Sequence, residues 1–292
     1  MSTVILLAIT GVGLGAIYFL VACGLSLIYG LMGVLNFAHG VFLSLGAFLG
    51  FEISQRLGAT TWTGFAVSLL VGALAGAVFA AATERVLVQK LYNRHIEQVL
   101  VTVGLALAAV ALFDGIWGTD PRFISGPEWL GDTTMIAGAN VPNDRFVVII
   151  AAVAVLASIV LFLKHTRYGM IIRAGVENRS MVTALGIDVR TAFTLVFTIG
   201  GAAAGLGGVL ASHYFGYVSP LLGQTLLIFA FIVTVIGGLG SLVGAALASV
   251  TVALLQQFAN FYLGGTGDFA VVLLLAVVLL TRPSGLMGRK IV

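Results

Sequence analysis

The chain has 292 residues, of which 60% are hydrophobic and 9% are charged, and its mean hydropathy is +1.14. Soluble globular domains carry about 25% charged residues, so this composition excludes a protein that covers itself with a water-compatible surface. The single cysteine, Cys23, excludes a disulfide within the chain and a metal site built on cysteines, and we predict no metal site. The composition predicts an all-α integral membrane protein in which residues 1–292 form one transmembrane domain.

Nine apolar segments follow one another along the chain, and most of them reach the roughly 20 residues that cross a bilayer as a helix. The second segment starts with the sequence NFAHG and reads as a span that is either broken or re-entrant, and the last segment is short for a span. We therefore expect a polytopic helical bundle of about eight to ten transmembrane segments. The segments cover approximately residues 4–30, 36–54, 63–88, 97–117, 145–164, 190–213, 222–238, 241–262 and 268–281.

Lys and Arg residues are unevenly divided between the two sets of loops. Eleven of the 14 fall in one set, at residues 85–94, 164–190 and 282–290, and three, Arg56, Arg122 and Arg145, fall in the other. Because basic residues are enriched in cytoplasmic loops, this distribution predicts a cytoplasmic C-terminus and, with nine spans, an external N-terminus. The same bias accounts for the net charge of +3 without a nucleic-acid partner.

The longest segment between two apolar runs covers about residues 118–144, on the predicted external side. Its Gly, Pro, Asp and Asn content argues against a simple helix. It reads either as a solvated connector or as a landing surface for an external protein.

Several sequence motifs of catalysis and nucleotide binding are missing. The chain has no GxxxxGK[ST] phosphate loop, no HExxH and no GxSxG. His39 is the one ionisable residue expected deep in a span, whereas ion-coupled pumps usually carry their coupling charge there. We therefore predict no catalytic residues and no cofactor, and a pathway without its own energy source. That description fits a channel, or a permease subunit that another protein drives.

The basic segment 164–190 has the sequence pattern of a short helix at about 178–185. Asn178 or Ser180 can cap it, the apolar residues Met181, Val182 and Leu185 fall on one side, and Gly186 fits the left-handed stop position. One reading is an interfacial helix on lipid headgroups. The other is a knob that docks in a groove of a cytoplasmic motor.

A few polar residues interrupt the apolar segments and are candidates for a translocation path. Asn36 and His39 are three residues apart, which would place them on one helix face near the cytoplasmic side. They either line the path or stabilise a helix break, since a polar group in lipid needs a partner or water. The same two readings, path or structure, apply to three residues on the external side, Gln224, Gln256 and Asn260.

Five motifs span most of the chain: GLSLIYGLMGVLNFAHG at 24–40, ERVLVQKLY at 84–92, RYGMIIRAGVENRSMVTALGIDV at 167–189, GGLGSLVGA at 237–245 and RPSGLMGR at 282–289. In this order they resemble the branched-chain amino acid permease family of the LivH type. The resemblance implies an ABC importer permease that works with a second, homologous permease, two cytoplasmic ATP-binding subunits and a periplasmic substrate-binding protein in a bacterial inner membrane. It also implies that segment 164–190 is the coupling loop that contacts the ATPase, with candidate residues Arg173, Glu177, Asn178, Met181, Val182, Leu185 and Gly186.

The solute stays open at this point. Leu, Ile and Val, other amino acids, urea, short amides and aromatic acids are all substrates across the family that the chain resembles. A stand-alone channel for a small neutral solute is the alternative from a different class. An intramembrane enzyme is disfavoured by the missing catalytic constellation.

Overall fold

A computed structural model gives the structure of the chain, and it describes residues 1–33, 36–92, 94–186 and 189–288, with the backbone alone at residues 176 and 178–180. These residues form a bundle of long helices with a few short strands at one end. The helices are α1 Ser2–Met32, α2 His39–Leu57, α3 Trp62–Thr83, α4 His95–Trp117, α5 Glu128–Gly131, α6 Asp144–His165, α7 Arg167–Ala184, α8 Val189–Phe215, α9 Leu222–Gly237, α10 Leu242–Tyr262 and α11 Gly267–Thr281.

Each of the nine apolar segments predicted from the sequence coincides with a helix. Six helices in the described part of the chain are long and apolar enough to cross a membrane: α1, α3 with its extension to Leu91, α4, α6, α8 and α10. Helices α9 and α11 are apolar but shorter, and α2 has 19 residues. The protein is therefore a multi-pass, all-α membrane protein, as the composition predicts.

The bundle has two chemically different ends. One end carries α7, which lies between α6 and α8 in the chain, and we call it the α7 end. The other carries a hairpin of strands β2 Thr133–Ile136 and β3 Ala139–Pro142, and we call it the hairpin end. The arginines predicted on the external side, such as Arg122, lie at the hairpin end, whereas Arg289 and Lys290 lie outside the described residues.

Glycines let the helices α2, α3 and α8 cross closely at the centre of the bundle. A Cβ at Gly46 of α2 would lie 2.5 Å from Gly205 of α8, and a Cβ at Gly201 would meet the Gly76 backbone of α3. No side chain fits in these crossings, and small residues are what allow helix backbones to approach in a membrane. Gly72 and Gly76 of α3, and Gly201 and Gly205 of α8, are each four residues apart, and these two pairs form the facing surfaces.

Helices α2 and α9 both begin inside the bundle, where their N-termini meet. A Cβ at Gly40 would lie 2.6 Å from the carbonyl oxygen of Gly223, and Ser44 Oγ donates to Pro220 O at 3.2 Å. The Gly223 N–H in turn donates to Ser44 Oγ at 3.0 Å. From this meeting point α2 runs to the hairpin end and α9 to the α7 end. Because α1 ends at the α7 end, where Leu31 lies against Gly175, α2 leaves the bundle at the opposite end, which fits a broken span and not a re-entrant one.

The segment at 118–144 is built from short β-structure. Strand β1 Arg122–Phe123 pairs with β4 Tyr217–Val218, and the β2–β3 hairpin turns at Ala137 and Gly138, which both have positive φ. Such a two-residue turn matches the twist of a hairpin. The prediction that this segment is not a simple helix agrees with the observed strands.

Helix α7 is longer than the sequence predicted. It begins at Arg167, where Thr166 Oγ1 accepts from the Gly169 N–H at 2.9 Å and serves as the N-cap. Asn178 and Ser180 lie within the helix, so the predicted cap there and the start near 178 are wrong. The predicted stop agrees, because Gly186 follows the last turn with φ +76°.

Candidate translocation cavities and coupling face

A cavity of about 210 Å³ lies beside the meeting point of α2 and α9, and we call it the mid-bundle cavity. The structure brings two of the predicted path residues, Asn36 and Gln224, together in its wall, although 188 positions separate them in the chain. The remaining wall is apolar. It consists of Leu25, Phe37, Leu227, Ile228 and Phe231.

Asn36 precedes α2 and is not on a helix face with His39, which corrects the sequence prediction. Its Oδ1 accepts from the Ala38 N–H at 3.0 Å, and its backbone oxygen accepts from the His39 N–H at 3.2 Å. Asn36 therefore closes a turn ahead of the helix, a common role for Asn because its side chain can bond to the backbone two residues on. The amide nitrogen Nδ2 is buried without a hydrogen-bond partner among the described residues.

His39 is deep in the bundle, as predicted, but it does not lie near the α7 end, where the sequence placed it together with Asn36. Its Nε2 lies 3.1 Å from the carbonyl oxygen of Val21, and its ring packs edge-on against Phe42 at 5.4 Å. Val21 precedes the α1 end at Met32 by about eleven residues, or roughly 16 Å of helix. His39 is fully buried between helices, which favours its structural reading over direct contact with a solute.

A second cavity, of about 520 Å³, opens toward the hairpin end, and we call it the hairpin-end cavity. Gln256 lies in its wall within a chain of hydrogen bonds. Tyr18 Oη donates to Gln256 Oε1 at 2.6 Å, and Gln256 Nε2 donates to Asp268 Oδ1 at 2.7 Å. Tyr18 also stacks on Phe229 of α9 at 5.1 Å. Tyr18 and Asp268 are functional candidates that sequence reasoning did not select.

Asn260 lines the same cavity one turn beyond Gln256, and its side chain fixes the start of α11. Asn260 Oδ1 accepts from the Gly267 N–H at 2.8 Å. The predicted path residues therefore fall into two groups, with Asn36 and Gln224 in one cavity and Gln256 and Asn260 in the other. Helix α9 supplies side chains to both cavities, so it separates them.

Helix α7 presents an outward face that gathers four of the predicted coupling residues. Arg173, Glu177, Met181 and Leu185 follow at four-residue intervals and all are exposed, with Met181 and Leu185 exposed by 61% and 70%. We call these four residues the α7 face.

Two other predicted coupling residues, Val182 and Asn178, are not part of the α7 face as defined here. Val182 is 4% exposed and points into the bundle with Ile172, so the prediction that it shares the apolar outer face is wrong. Neighbouring residues of an α-helix are rotated by about 100° about the helix axis, so Val182 points away from the side on which Met181 lies. The side chain of Asn178 lies outside the described part.

Glu84 is a buried carboxylate at the α7 end that the sequence placed in or beside a loop. It begins a short π-helical continuation of α3, Glu84–Val88, and is fully buried. Its carboxylate accepts from the hydroxyl of Tyr92, and from Thr194 Oγ1 at 2.7 Å. Because Thr194 lies near the start of α8, this carboxylate ties α3 to the helix that follows α7.

These features define a class: a helical membrane protein with internal polar cavities and an exposed helix across one end. Among the described residues, no group of three or more His, Cys, Asp or Glu side chains could hold a metal ion. The chain belongs to the family described as the permease component of branched-chain amino acid transport systems, whose sequence profile matches residues 7–281. This is a family of transport subunits and not of enzymes.

Individual relatives agree with that family. The permease LivH of Salmonella typhimurium is 27% identical over 96% of this chain and 94% of its own length. BraD of Pseudomonas aeruginosa is 28% identical over the same shares, and both are named high-affinity branched-chain amino acid transport permeases. LsrD of Photorhabdus luminescens, named for autoinducer 2 import, is 25% identical over 75% of this chain and 67% of its own length. A solved structure, PsaBC from Streptococcus pneumoniae with a Fab, aligns over 98% of this chain and 91% of its own, at 17% identity and a TM-score of 0.46.

Proposed function

We propose that this chain is a permease subunit of a binding-protein-dependent ABC importer that carries branched-chain or related amino acids across a bacterial inner membrane. Its partners in this proposal are a second homologous permease, two cytoplasmic ATP-binding subunits and a periplasmic substrate-binding protein. The observation that carries the proposal is the α7 face, an exposed surface on a chain whose sequence has no phosphate loop of its own.

The choice of solute rests on the relatives. LivH and BraD are named for branched-chain amino acids and match nearly the whole chain, whereas LsrD is named for another solute and matches less of it. The mid-bundle cavity supports the same choice, because two amide side chains stand in an otherwise apolar wall. Such a wall suits a solute with an aliphatic part and a polar head.

The α7 end is the cytoplasmic end in this proposal, and the hairpin end is periplasmic. The excess of Lys and Arg at the α7 end supports this orientation, since positive loops stay in the cytoplasm. With the nine helices as spans, the N-terminus is periplasmic and the C-terminus is cytoplasmic. The hairpin-end cavity then receives the solute from the binding protein.

Contacts around α7 suggest how ATP hydrolysis moves the path. Gly175 of α7 sits against Leu31 of α1, where a Cβ would lie 2.8 Å from the Leu31 side chain. Helix α7 also contacts α8, which packs on α2 and α3 through glycines. A displacement of α7 by the ATPase is therefore transmitted to α1 and α8, and α1 lines both cavities through Leu25 and Tyr18.

The docking role is tested by placing a charge on the α7 face. We expect Met181→Glu to abolish co-purification of the ATP-binding subunits and ATP-driven uptake, because burying an unpaired carboxylate in an interface is costly. The matched control is Met135→Glu on the β2–β3 hairpin, where the methionine is 72% exposed. The control should retain the ATP-binding subunits.

Two results would contradict the proposal. One is normal ATPase association in Met181→Glu. The other is solute flux into liposomes that contain this chain alone, which would favour the stand-alone channel.

A further inference from the structure

The two cavities differ in how their polar groups are used. In the hairpin-end cavity, the oxygen and nitrogen of the Gln256 amide are both engaged, by Tyr18 and Asp268. In the mid-bundle cavity, Asn36 Nδ2 and Gln224 Nε2 are buried and have no hydrogen-bond partner within the described ranges. A buried donor without a partner is costly. Several buried polar atoms lack a partner in the described part of the chain, including His39 Nδ1 and Ser26 Oγ, but only Asn36 Nδ2 and Gln224 Nε2 belong to residues that line either of the two cavities.

The Asn36 amide has a defined orientation. Its Oδ1 accepts from the Ala38 N–H at 3.0 Å, so Nδ2, and not the oxygen, is the free atom. Asn36 is 3% exposed and lines the cavity. The group that fits it is therefore an acceptor such as a carboxylate or carbonyl oxygen.

The helix termini favour a negative charge at the same place. Helices α2 and α9, of 19 and 16 residues, both begin beside the cavity, and Gln224 is in the first turn of α9. A helix N-terminus carries roughly half a positive charge and attracts anions. No charged side chain is among the residues that line the cavity in the described structure, so the two termini are not neutralised there.

We propose that the mid-bundle cavity is a subsite for the carboxylate of the transported solute, held by the Asn36 and Gln224 amides between the N-termini of α2 and α9. The aliphatic part of the solute then packs on Leu25, Leu227 and Ile228. This inference rests on the proposed function for the identity of the solute. Neutral donors and helix termini hold an anion loosely, which suits a site that must release its ligand.

The test measures protection of a thiol at the cavity rim. Ile228 lines the cavity and is 61% exposed, so Ile228→Cys in the assembled complex should react with a maleimide, whereas the native Cys23 is fully buried. We expect L-leucine and isovalerate at millimolar concentration to slow the reaction several-fold. Isoamylamine has the same aliphatic part with an ammonium group and should not.

The deciding variant is Asn36→Asp in the Ile228→Cys background. It keeps the size and the oxygen that accepts from Ala38 but replaces the free donor by a negative charge. Protection by isovalerate should fall at least about tenfold, a change of roughly 1.4 kcal/mol in binding. The control, Asn140→Asp on strand β3, makes the same substitution at an exposed residue that lines neither cavity and should retain protection. Both variants should react at the parent rate when no ligand is present.

Three outcomes would overturn the subsite: no protection by either carboxylate, equal protection by the amine, or unchanged protection in Asn36→Asp. ATP-driven L-leucine uptake by the otherwise unchanged complex is measured separately and tests the importer role. A complex that imports leucine without carboxylate protection overturns only the subsite. Protection without uptake supports the subsite and contradicts the importer role.

Discussion

At the scale of single residues, two kinds of buried polar group stand out: the amides of Asn36 and Gln224 at the mid-bundle cavity, and the Glu84 carboxylate at the α7 end. Asn36 and Gln224 attract notice because polar side chains are rare in apolar runs, but their shared cavity depends on how α2 and α9 meet. Glu84 was missed because the sequence ERVLVQKLY reads as a charged stretch at a span end. Its burial depends on Thr194, which lies 110 positions further along the chain, and no local pattern reveals such a partner.

The Glu84 contacts predict a loss of stability when the carboxylate is removed. We expect Glu84→Ala to lower the free energy of unfolding by about 1–3 kcal/mol, because the hydroxyls of Tyr92 and Thr194 lose a shared acceptor. The measurement is unfolding of the purified protein in detergent. Glu97→Ala at the same end is the control, since Glu97 and Arg94 are mostly exposed and such pairs contribute little. Equal effects of the two variants would contradict a special role for Glu84.

At the scale of elements, the sequence predicted where the long apolar helices lie. It did not predict where the helix within 164–190 begins. Gly169 and Gly175 look like helix breakers in the sequence. In the structure Gly175 packs against Leu31, and Gly169 lies against the Phe162 carbonyl, so both are packing glycines within α7. Packing contacts with other helices override the local preference, which is why the predicted start near 178 was wrong.

The glycine crossing of α3 and α8 predicts contrasting effects of two alanine substitutions. Gly76→Ala places a Cβ against the backbone of Gly201 and should destabilise the protein by about 1–3 kcal/mol, as overpacking does. Gly104→Ala in α4 meets no described atom within 4 Å. It should be neutral or stabilise by up to about 1 kcal/mol, because Ala favours the helix. Thermal unfolding in detergent separates the two, and equal shifts would refute the packing argument.

At the scale of the whole molecule, the structure places the predicted basic loops at one end of the bundle. The segments 85–94 and 164–190 lie together at the α7 end, since Glu84 and Tyr92 contact Thr194 and Phe193 near the start of α8. The side of the membrane that this end faces stays a prediction. The distribution of charge could not predict that α2 starts in the middle of the bundle. Counting Lys and Arg in the loops treats each apolar segment as a helix that crosses the whole membrane.

The orientation in the membrane predicts opposite labelling of two methionine positions. A membrane-impermeant maleimide should label Met135→Cys in right-side-out vesicles and Met181→Cys in inside-out vesicles. Both side chains are exposed, and the native Cys23 is fully buried. The reverse pattern would place the α7 end outside and contradict docking of a cytoplasmic ATPase.

The meeting of α2 with α9 has a consequence for how the protein is made. Ser44 pairs with Pro220 and Gly223, which are 176 and 179 positions away, so the start of α2 leaves the ribosome long before its partner. Contacts between such distant positions form late, and a polar backbone end in lipid is costly until it is satisfied. During biosynthesis the first turns of α2 must therefore wait, in the insertion machinery or against α1, until the chain has been synthesised past residue 223. Helices α2 and α9, and the cavity beside their N-termini, reach their final arrangement only after that point.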